Sequence, residues 1–335
     1  MMRSQARKLG CAALAVAVFM GMLAGCNKPQ QGSDSGKTVE EMMGVDSGST
    51  PSVYYDGNWY QPSKDVESYL IMGVDRDGEA TEANPIDGAG QADMLMVLVI
   101  DHAEKTYHVL QINRDTMTDV TVLGMQGDEI GTEKMQIAAA HSYGTGLKDS
   151  CENTVKAVST FLYDVKIDGY AAIQMDAIPL INDWAGGVTV TIKDDFSQVD
   201  PSLVMGETIT LTGEQAYTYI RGRFYVGDST NISRMARQVE YFNGLASQVH
   251  KMMNEDIGTV AELYQTITPY MVTDMGSGTV TKLAQKCKGY TNGGVVSIEG
   301  ESKMGEKFME FYADEDSVKQ AVFSLFYTQV QEETE

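Results

Sequence analysis

Three apolar runs lie close together, at residues 68–75 (SYLIMGVD), 94–101 (MLMVLVID) and 106–113 (TYHVLQIN). The first two are almost unbroken hydrophobic stretches. A strand of that kind has no solvated face and needs a layer packed on each side. The third run alternates more, and residues 102–105 join it to the second as a turn. Helical periodicity follows at 134–143, 151–163, about 176–184, 213–220, 233–253, 257–270, 279–288 and 314–329. Short strands are expected at 169–174, 188–192 and 295–299, with Gly186-Gly187 as the turn into the second of these. Thr212 followed by Gln215 spells a capping box, and Ser233 is the expected N-cap of the long helix. Strands interleaved with helices predict an α/β protein, a three-layer α/β/α sandwich around a central mixed sheet, as one domain over residues 65–330.

The N-terminus reads as an export signal. Arg3, Arg7 and Lys8 are a basic start, and residues 11–23 are an apolar run too short for a confident span. The run closes on Leu23-Ala24-Gly25-Cys26, the lipobox pattern of bacterial lipoproteins, and polar residues follow at once. Residues 1–25 are therefore the expected signal peptide and Cys26 the expected lipidation site. Residues 26–64 are rich in Gly, Ser, Pro and acids and read as a flexible tether of about 35 Å. The expected location is extracytoplasmic, at the outer face of the cytoplasmic membrane. Of the four Cys, Cys151 and Cys287 then remain, and the sequence leaves open whether they pair.

Lys plus Arg number 25 and Asp plus Glu 47, a formal net charge of −22. Such a chain lacks the basic surface that nucleic acid requires, which argues against a DNA-binding regulator. Beyond the signal, arginine is sparse and clustered: Arg76, Arg114, then Arg221, Arg223, Arg234 and Arg237. Guanidinium is a planar fork suited to phosphate, where lysine is a point charge. Walker, Gly-x-Gly-x-x-Gly, Gly-x-Ser-x-Gly, His-Glu-x-x-His and Cys-x-x-Cys patterns are all missing, and the four His are isolated.

What is present sits at strand and helix ends. Asp75 ends the first run in Gly73-Val-Asp75-Arg76, and Asp93 opens the second in Gln91-Ala-Asp93. Two such carboxylates suit one Mg²⁺ that also bridges phosphate oxygens. Ile112-Asn113-Arg114-Asp115 lies just past the third strand. Arg221-Gly-Arg223 ends one helix and Ser233-Arg234-Met-Ala-Arg237-Gln238 begins the next, where free N–H groups and the dipole favour anions.

These stretches, with QADMLMVLVID, QINRDTMTDV, EKMQIAAAHSYG, AGGVTVTI, LTGEQAYTYIRGR and SRMARQ in order, make the chain resemble the LytR–CpsA–Psr family of cell-wall enzymes. The resemblance is strong over residues 66–245. It implies a phosphotransferase that moves a glycopolymer from a polyprenyl-diphosphate carrier to a hydroxyl of peptidoglycan as a phosphodiester, with an apolar pocket for the prenyl chain. By the same resemblance Asp75 and Asp93 hold Mg²⁺. Arg76, Arg114, Lys134, Arg221, Arg223, Arg234, Arg237 and Gln238 match positions around the diphosphate. Arg114, Asp115 and Asp228 are the candidate catalytic residues; Asn231 stands where many relatives carry an acid. Gln91-Ala92 stands where many relatives have Arg-Ser. The implied partners are the polyprenyl-diphosphate-linked glycopolymer, peptidoglycan and the membrane through the lipid, with no nucleic acid. A polyprenyl-diphosphate pyrophosphatase and a non-catalytic lipid-binding lipoprotein are the competing readings.

The anchor is testable directly. A radiolabelled fatty acid fed to expressing cells is expected to label the wild-type protein and not Cys26→Ala. Equal labelling of the variant contradicts the lipobox.

Overall fold

The β3–β4 hairpin is the centre of the molecule, and both strands are buried along almost their whole length. The computed structural model describes residues 52–83, 88–124 and 127–330. The expected signal, Cys26 and the tether up to residue 51 lie outside the described residues. In chain order the strands are β1 (Val53–Tyr55), β2 (Asn58–Pro62), β3 (Val66–Val74), β4 (Ala92–Asp101), β5 (Thr106–Ile112), β6 (Met117–Leu123) and β7 (Glu129–Gln136). A 3₁₀ helix (Ile137–Ser142) leads to α1 (Lys148–Phe161), β8 (Gly169–Gln174), α2 (Ala177–Trp184), β9 (Thr189–Thr191), β10 (Thr208–Thr210) and α3 (Gly213–Arg221). The long α4 (Asn231–Glu255) precedes α5 (Thr259–Ile267), β11 (Met271–Thr273), α6 (Ser277–Cys287) and β12 (Thr291–Ser297). The chain closes with β13 (Gly300–Met304), β14 (Met309–Ala313), α7 (Glu315–Phe326) and β15 (Tyr327–Val330).

Six strands form the main sheet in the order β11-β8-β3-β4-β5-β12. β3 pairs antiparallel with β4 and parallel with β8, so the sheet is mixed. Side chains alternate across it as the pleat requires. Tyr69, Ile71, Met96 and Leu98 enter one core with α2, α3, α4, α5 and α6. Leu70, Met72, Leu95 and Val97 enter the other with α1, α7 and the 3₁₀ helix. This is the expected three-layer α/β/α sandwich. Cys151 lies in one core and Cys287 in the other, so the sheet separates them and both are free thiols. Burial pushes the Cys287 thiol up to about 12, which keeps it protonated and inert. Among the described residues no helix is long and apolar enough to cross a membrane.

Four expectations need correction. Residues 134–143 are not one helix: Lys134 lies on β7, and only the 3₁₀ turn that follows is helical. The run EKMQIAAA has helical spacing, but β6 and β7 pair along seven positions and that ladder decides. The end of the expected tether is folded, because β1 and β2 join β15 in a small sheet and Tyr55 stacks on Phe323 at 4.2 Å. The last helix stops at Phe326, where the chain leaves it as β15 to pair with β2. The long helix begins at Asn231 under a Thr230 cap, whose hydroxyl accepts from the Ser233 N–H at 3.2 Å. Arg234 therefore stands one turn inside the helix. The capping box of Thr212 and Gln215 is formed as expected, at 3.3 and 3.0 Å.

Candidate functional site

β3 and β4 pair in register from Val66 opposite Asp101 to Gly73 opposite Met94, and then Val74 pairs with Ala92. Asp93 is the extra residue of a β-bulge, a device that re-aims one side chain. Gly73 permits it, since a Cβ there would stand 3.0 Å from the Met94 Cβ. The bulge turns the Asp93 carboxylate to the α3–α4 side of the sheet, where it is 9% exposed.

Two arginines converge on that carboxylate. Arg234 reaches it from α4: Nη1 donates to Asp93 Oδ2 at 2.8 Å, Nη2 to the Asp93 carbonyl at 3.3 Å, and Nε to Asn231 Oδ1 at 3.0 Å. Arg114 comes from the end of β5 and donates through Nη1 to Asp93 Oδ1 and through Nη2 to Gln91 Oε1 at 2.6 Å. Asp115, also buried, pairs with Arg114 Nε at 3.2 Å and with Arg223 at 3.8 Å, and accepts from Gln136 at 2.9 Å. Three guanidiniums thus share two carboxylates, leaving one uncompensated positive charge in a water-poor place. Burial holds Arg234 below the usual arginine pKa against the pull of Asp93, and the neighbouring Arg114 and Arg223 lower it further. An anion arriving there relieves that repulsion.

A second charged pair borders the first. Arg221, the last residue of α3, donates to Asp75 Oδ1 at 2.8 Å and to the Tyr217 hydroxyl, with Asp77 3.8 Å away. Arg221 and Asp75 are 39% and 43% exposed, so the pair is accessible to a ligand. Behind these groups an apolar cavity of about 50 Å³ runs into the core. Met94, Ile173, Ile178, Ile220, Phe242 and Leu245 give it apolar walls, and Asp93, Arg221, Arg234 and Gln238 are its charged and polar lining. The site is amphipathic, with phosphate chemistry at the mouth and hydrocarbon behind.

The structure thus gathers Asp75, Asp93, Arg114, Asp115, Arg221, Arg223, Arg234 and Gln238 at one end of the sheet. It places four others elsewhere. Arg76 alternates to the opposite side of the strand end, where Nη1 donates to the Thr81 carbonyl at 2.7 Å. Lys134 is exposed on β7, opposite Asp119. Arg237 is buried, but its guanidinium holds the end of α3 through the Tyr219 carbonyl at 3.1 Å, the Gly222 carbonyl and Asp194. Asp228 caps the α4 approach: it accepts from Ser233 Oγ at 2.6 Å, Thr230 Oγ1 at 2.7 Å and Thr230 N–H at 2.9 Å. Those bonds, Ser233 first, hold its carboxyl below the usual range. Sequence reasoning missed Tyr217, Asp77 and the Asn113–Asn231 bond of 2.8 Å. Tyr217 stands four residues before Arg221 on one helix, a spacing that could have been read.

The carboxylates also bear on metal binding. Asp75 and Asp93 flank the Val74–Ala92 pair on the same side of the sheet, and both offer only oxygen. Asp75 Oδ2 accepts no hydrogen bond among the described residues. No group of three or more His, Cys, Asp or Glu able to hold a metal occurs among the described residues. The donor set, oxygen only with ligand oxygens and water to complete the shell, suits Mg²⁺; Asp75 Oδ2 is the open position, and at Asp93 the ion would share oxygens that already accept from Arg114 and Arg234.

The profile of the LytR_cpsA_psr family matches residues 28–325, and the chain belongs to that family. The chain is 34% identical over 161 residues to a polyisoprenyl-teichoic acid–peptidoglycan teichoic acid transferase TagU of Halalkalibacterium halodurans, covering 48% of this chain and 46% of the relative. To the TagU of Bacillus subtilis it is 35% identical over 161 residues, 48% of this chain and 45% of the relative. The chain thus spans about half the length of the curated relatives it matches. The crystal structure of B. subtilis TagV superposes with a TM-score of 0.61 at 24% identity, over 78% of this chain and 96% of that one. The structure of TagT bound to LI-WTA gives 0.59 at 20%, over 78% and 90%. These structures share the fold.

Arg237→Ala is expected to act on stability and not on ligand affinity. Removing one partner of so buried a pair should cost about 3 kcal/mol in urea unfolding. Affinity for a prenyl diphosphate, measured far below the unfolding midpoint, should stay within about twofold of wild type. Lost affinity with unchanged stability puts Arg237 in the binding site instead.

Proposed function

We propose that the protein transfers a glycopolymer from a polyprenyl-diphosphate carrier to a hydroxyl of peptidoglycan, forming a phosphodiester. The observation that carries this reading is the join between a buried, net-positive arginine cluster and an apolar cavity that opens beside it. A prenyl diphosphate has that same division, a dianionic head on a hydrocarbon tail. The names of the relatives, polyisoprenyl-teichoic acid–peptidoglycan teichoic acid transferases, support the same chemistry.

In this reading the prenyl chain lies among Met94, Ile173, Ile220 and Phe242. The walls must part to admit it, since 50 Å³ holds no more than a few water molecules. The diphosphate meets the exposed Arg221 first, with Arg223 and Arg114 further in and Arg234 the most deeply buried. The acceptor oxygen attacks the phosphorus that carries the sugar, its proton passes to Asp115, and the bond to the departing polyprenyl phosphate breaks. Phosphoryl transfer asks mainly for positioning and charge stabilisation, which fixed guanidiniums supply without reorganising. Asp75 and Asp93 would hold Mg²⁺, whose charge, when bound, offsets that growing on the leaving phosphate. Cys26 would carry the lipid that keeps the domain at the outer face of the membrane, near its lipid-borne donor.

The test is a reconstituted reaction with radiolabelled polyprenyl-diphosphate glycopolymer, peptidoglycan and Mg²⁺. Label should move to the peptidoglycan, stop on chelation and return with Mg²⁺. Asp75→Asn should lower turnover by about a hundredfold or more. Arg221→Lys should fail nearly as badly as Arg221→Ala, because lysine keeps the charge and loses the fork. Both changes should alter stability by under about 1 kcal/mol, as expected of an exposed pair. Label released to water in place of peptidoglycan makes the protein a pyrophosphatase, and turnover that survives chelation removes the metal.

A further inference from the structure

The α4 helix (Asn231–Glu255) has two occupied faces. Arg234, Gln238, Tyr241 and Leu245 close the apolar cavity. Ile232, Met235, Ala236 and Val239 lie on the opposite side of the helix, by the 3.6-residue period, and wall a separate open groove of about 1070 Å³. The far wall is built from the end of β12 and the β13–β14 hairpin, with Phe311 and the 42% exposed Tyr312.

Two amides form the floor. Gln111 and Asn113 continue the face of β5 that begins with Tyr107 and Val109 in the core, and they are only 5% and 6% exposed. Polar groups at such positions must be satisfied. Each is satisfied at one end only. Gln111 Nε2 donates to the Met235 carbonyl at 3.2 Å, and Asn113 Oδ1 accepts from Asp115 N–H at 3.0 Å and Asn231 Nδ2 at 2.8 Å. Gln111 Oε1 and Asn113 Nδ2 have no protein partner among the described residues, and neither is sealed from the groove that both residues line. One acceptor on β5, beside the edge strand β12, and one donor just past its end are thus left without a protein partner at the floor of the groove. The remaining charge in the lining is acidic, from Glu299, Glu301, Asp314 and Glu315, with no Lys or Arg among the lining residues.

We propose that this groove binds the acceptor as an uncharged glycan strand of N-acetylated amino sugars. Hydroxyl and acetamido groups match a paired amide donor and acceptor, and sugar rings lie well against an aromatic ring such as the 42% exposed Tyr312, over which Lys303 Nζ stands at 5.5 Å. The acidic lining repels polyanions, so a phosphate-rich donor polymer is kept out and the two substrates are sorted by charge. The groove also ends at the right place. Asn113 bonds Asn231, and Asn231 accepts from Arg234 Nε, so the floor is two hydrogen bonds from the guanidinium that holds Asp93. This assignment rests on the donor–acceptor reading of the site, and names where the second substrate lies.

The test is the affinity of the full chain for a tetramer of N-acetylglucosamine and for geranylgeranyl diphosphate, each measured on wild type, Gln111→Ala and Tyr312→Ala. Tyr312 is exposed, so its variant keeps the fold even where Gln111→Ala does not. The tetramer should bind wild type and weaken by about tenfold in each folded variant, the loss expected of one ligand contact. The lipid affinity should not change, and a sulfated oligosaccharide should not bind the groove. No tetramer binding to wild type, equal binding to wild type and both variants, or capture of a cationic peptide in place of the glycan overturns the proposal. Lipid binding in the same samples reports separately on the phosphate site: if it fails while the tetramer result holds, the donor reading falls and the glycan groove stands.

Discussion

Asp93 is the residue on which the rest of the site depends. A carboxylate this buried is tolerated only when paired and hydrogen-bonded, and both of its oxygens are taken by guanidiniums. In return it fixes Arg114, which ends a strand of the sheet, and Arg234, which belongs to α4. The bulge that aims Asp93 needs Gly73. Gln91 and Asn231 take further donors of Arg114 and Arg234, and Asp115 pairs with Arg114 by charge alone, since Arg114 Nε makes no hydrogen bond among the described residues. A local irregularity in one strand thereby sets the docking of a helix on the sheet. It also leaves several guanidiniums pre-placed around a point where an anion can enter.

That arrangement reconciles an acidic protein with an anionic ligand. The formal net charge of −22 describes the far field, which decides which partners are repelled at a distance. The arginine cluster is enclosed by the protein, and at such short range its own charges decide. The cavity behind it shares α4 with the groove, so one helix divides hydrocarbon from water-exposed surface. Each face of α4 is apolar enough to serve its side, and the arginine and glutamine at its start reach the boundary between them.

Much of this was legible in the sequence because burial writes itself in pattern. The continuous apolar runs gave β3 and β4 within two residues of each boundary, and Thr212 and Gln215 announced the start of α3. The family resemblance named most of the charged residues, and the arginine spacing had already suggested that they meet. What was not legible depends on long-range pairing. Residues 134–143 have helical spacing, yet Lys134 is on a strand because β6 lies opposite. The small sheet of β1, β2 and β15 joins the two ends of the domain, which no local pattern reports. Arg237 shares a turn with Arg234 in sequence, but its guanidinium serves the end of α3. Gln91 looked like the loss of a basic group, and in the fold its amide oxygen accepts from Arg114.

The central claim is that one site reads a phosphate head and a hydrocarbon tail together. The measurement that tests it most directly is calorimetric affinity for geranylgeranyl diphosphate against inorganic diphosphate. Burial of even a few methylene groups, at about 0.8 kcal/mol each, should make the lipid bind at least about a hundredfold more tightly. Equal affinities would mean that the cavity behind the arginines takes no part in binding, and would contradict the account.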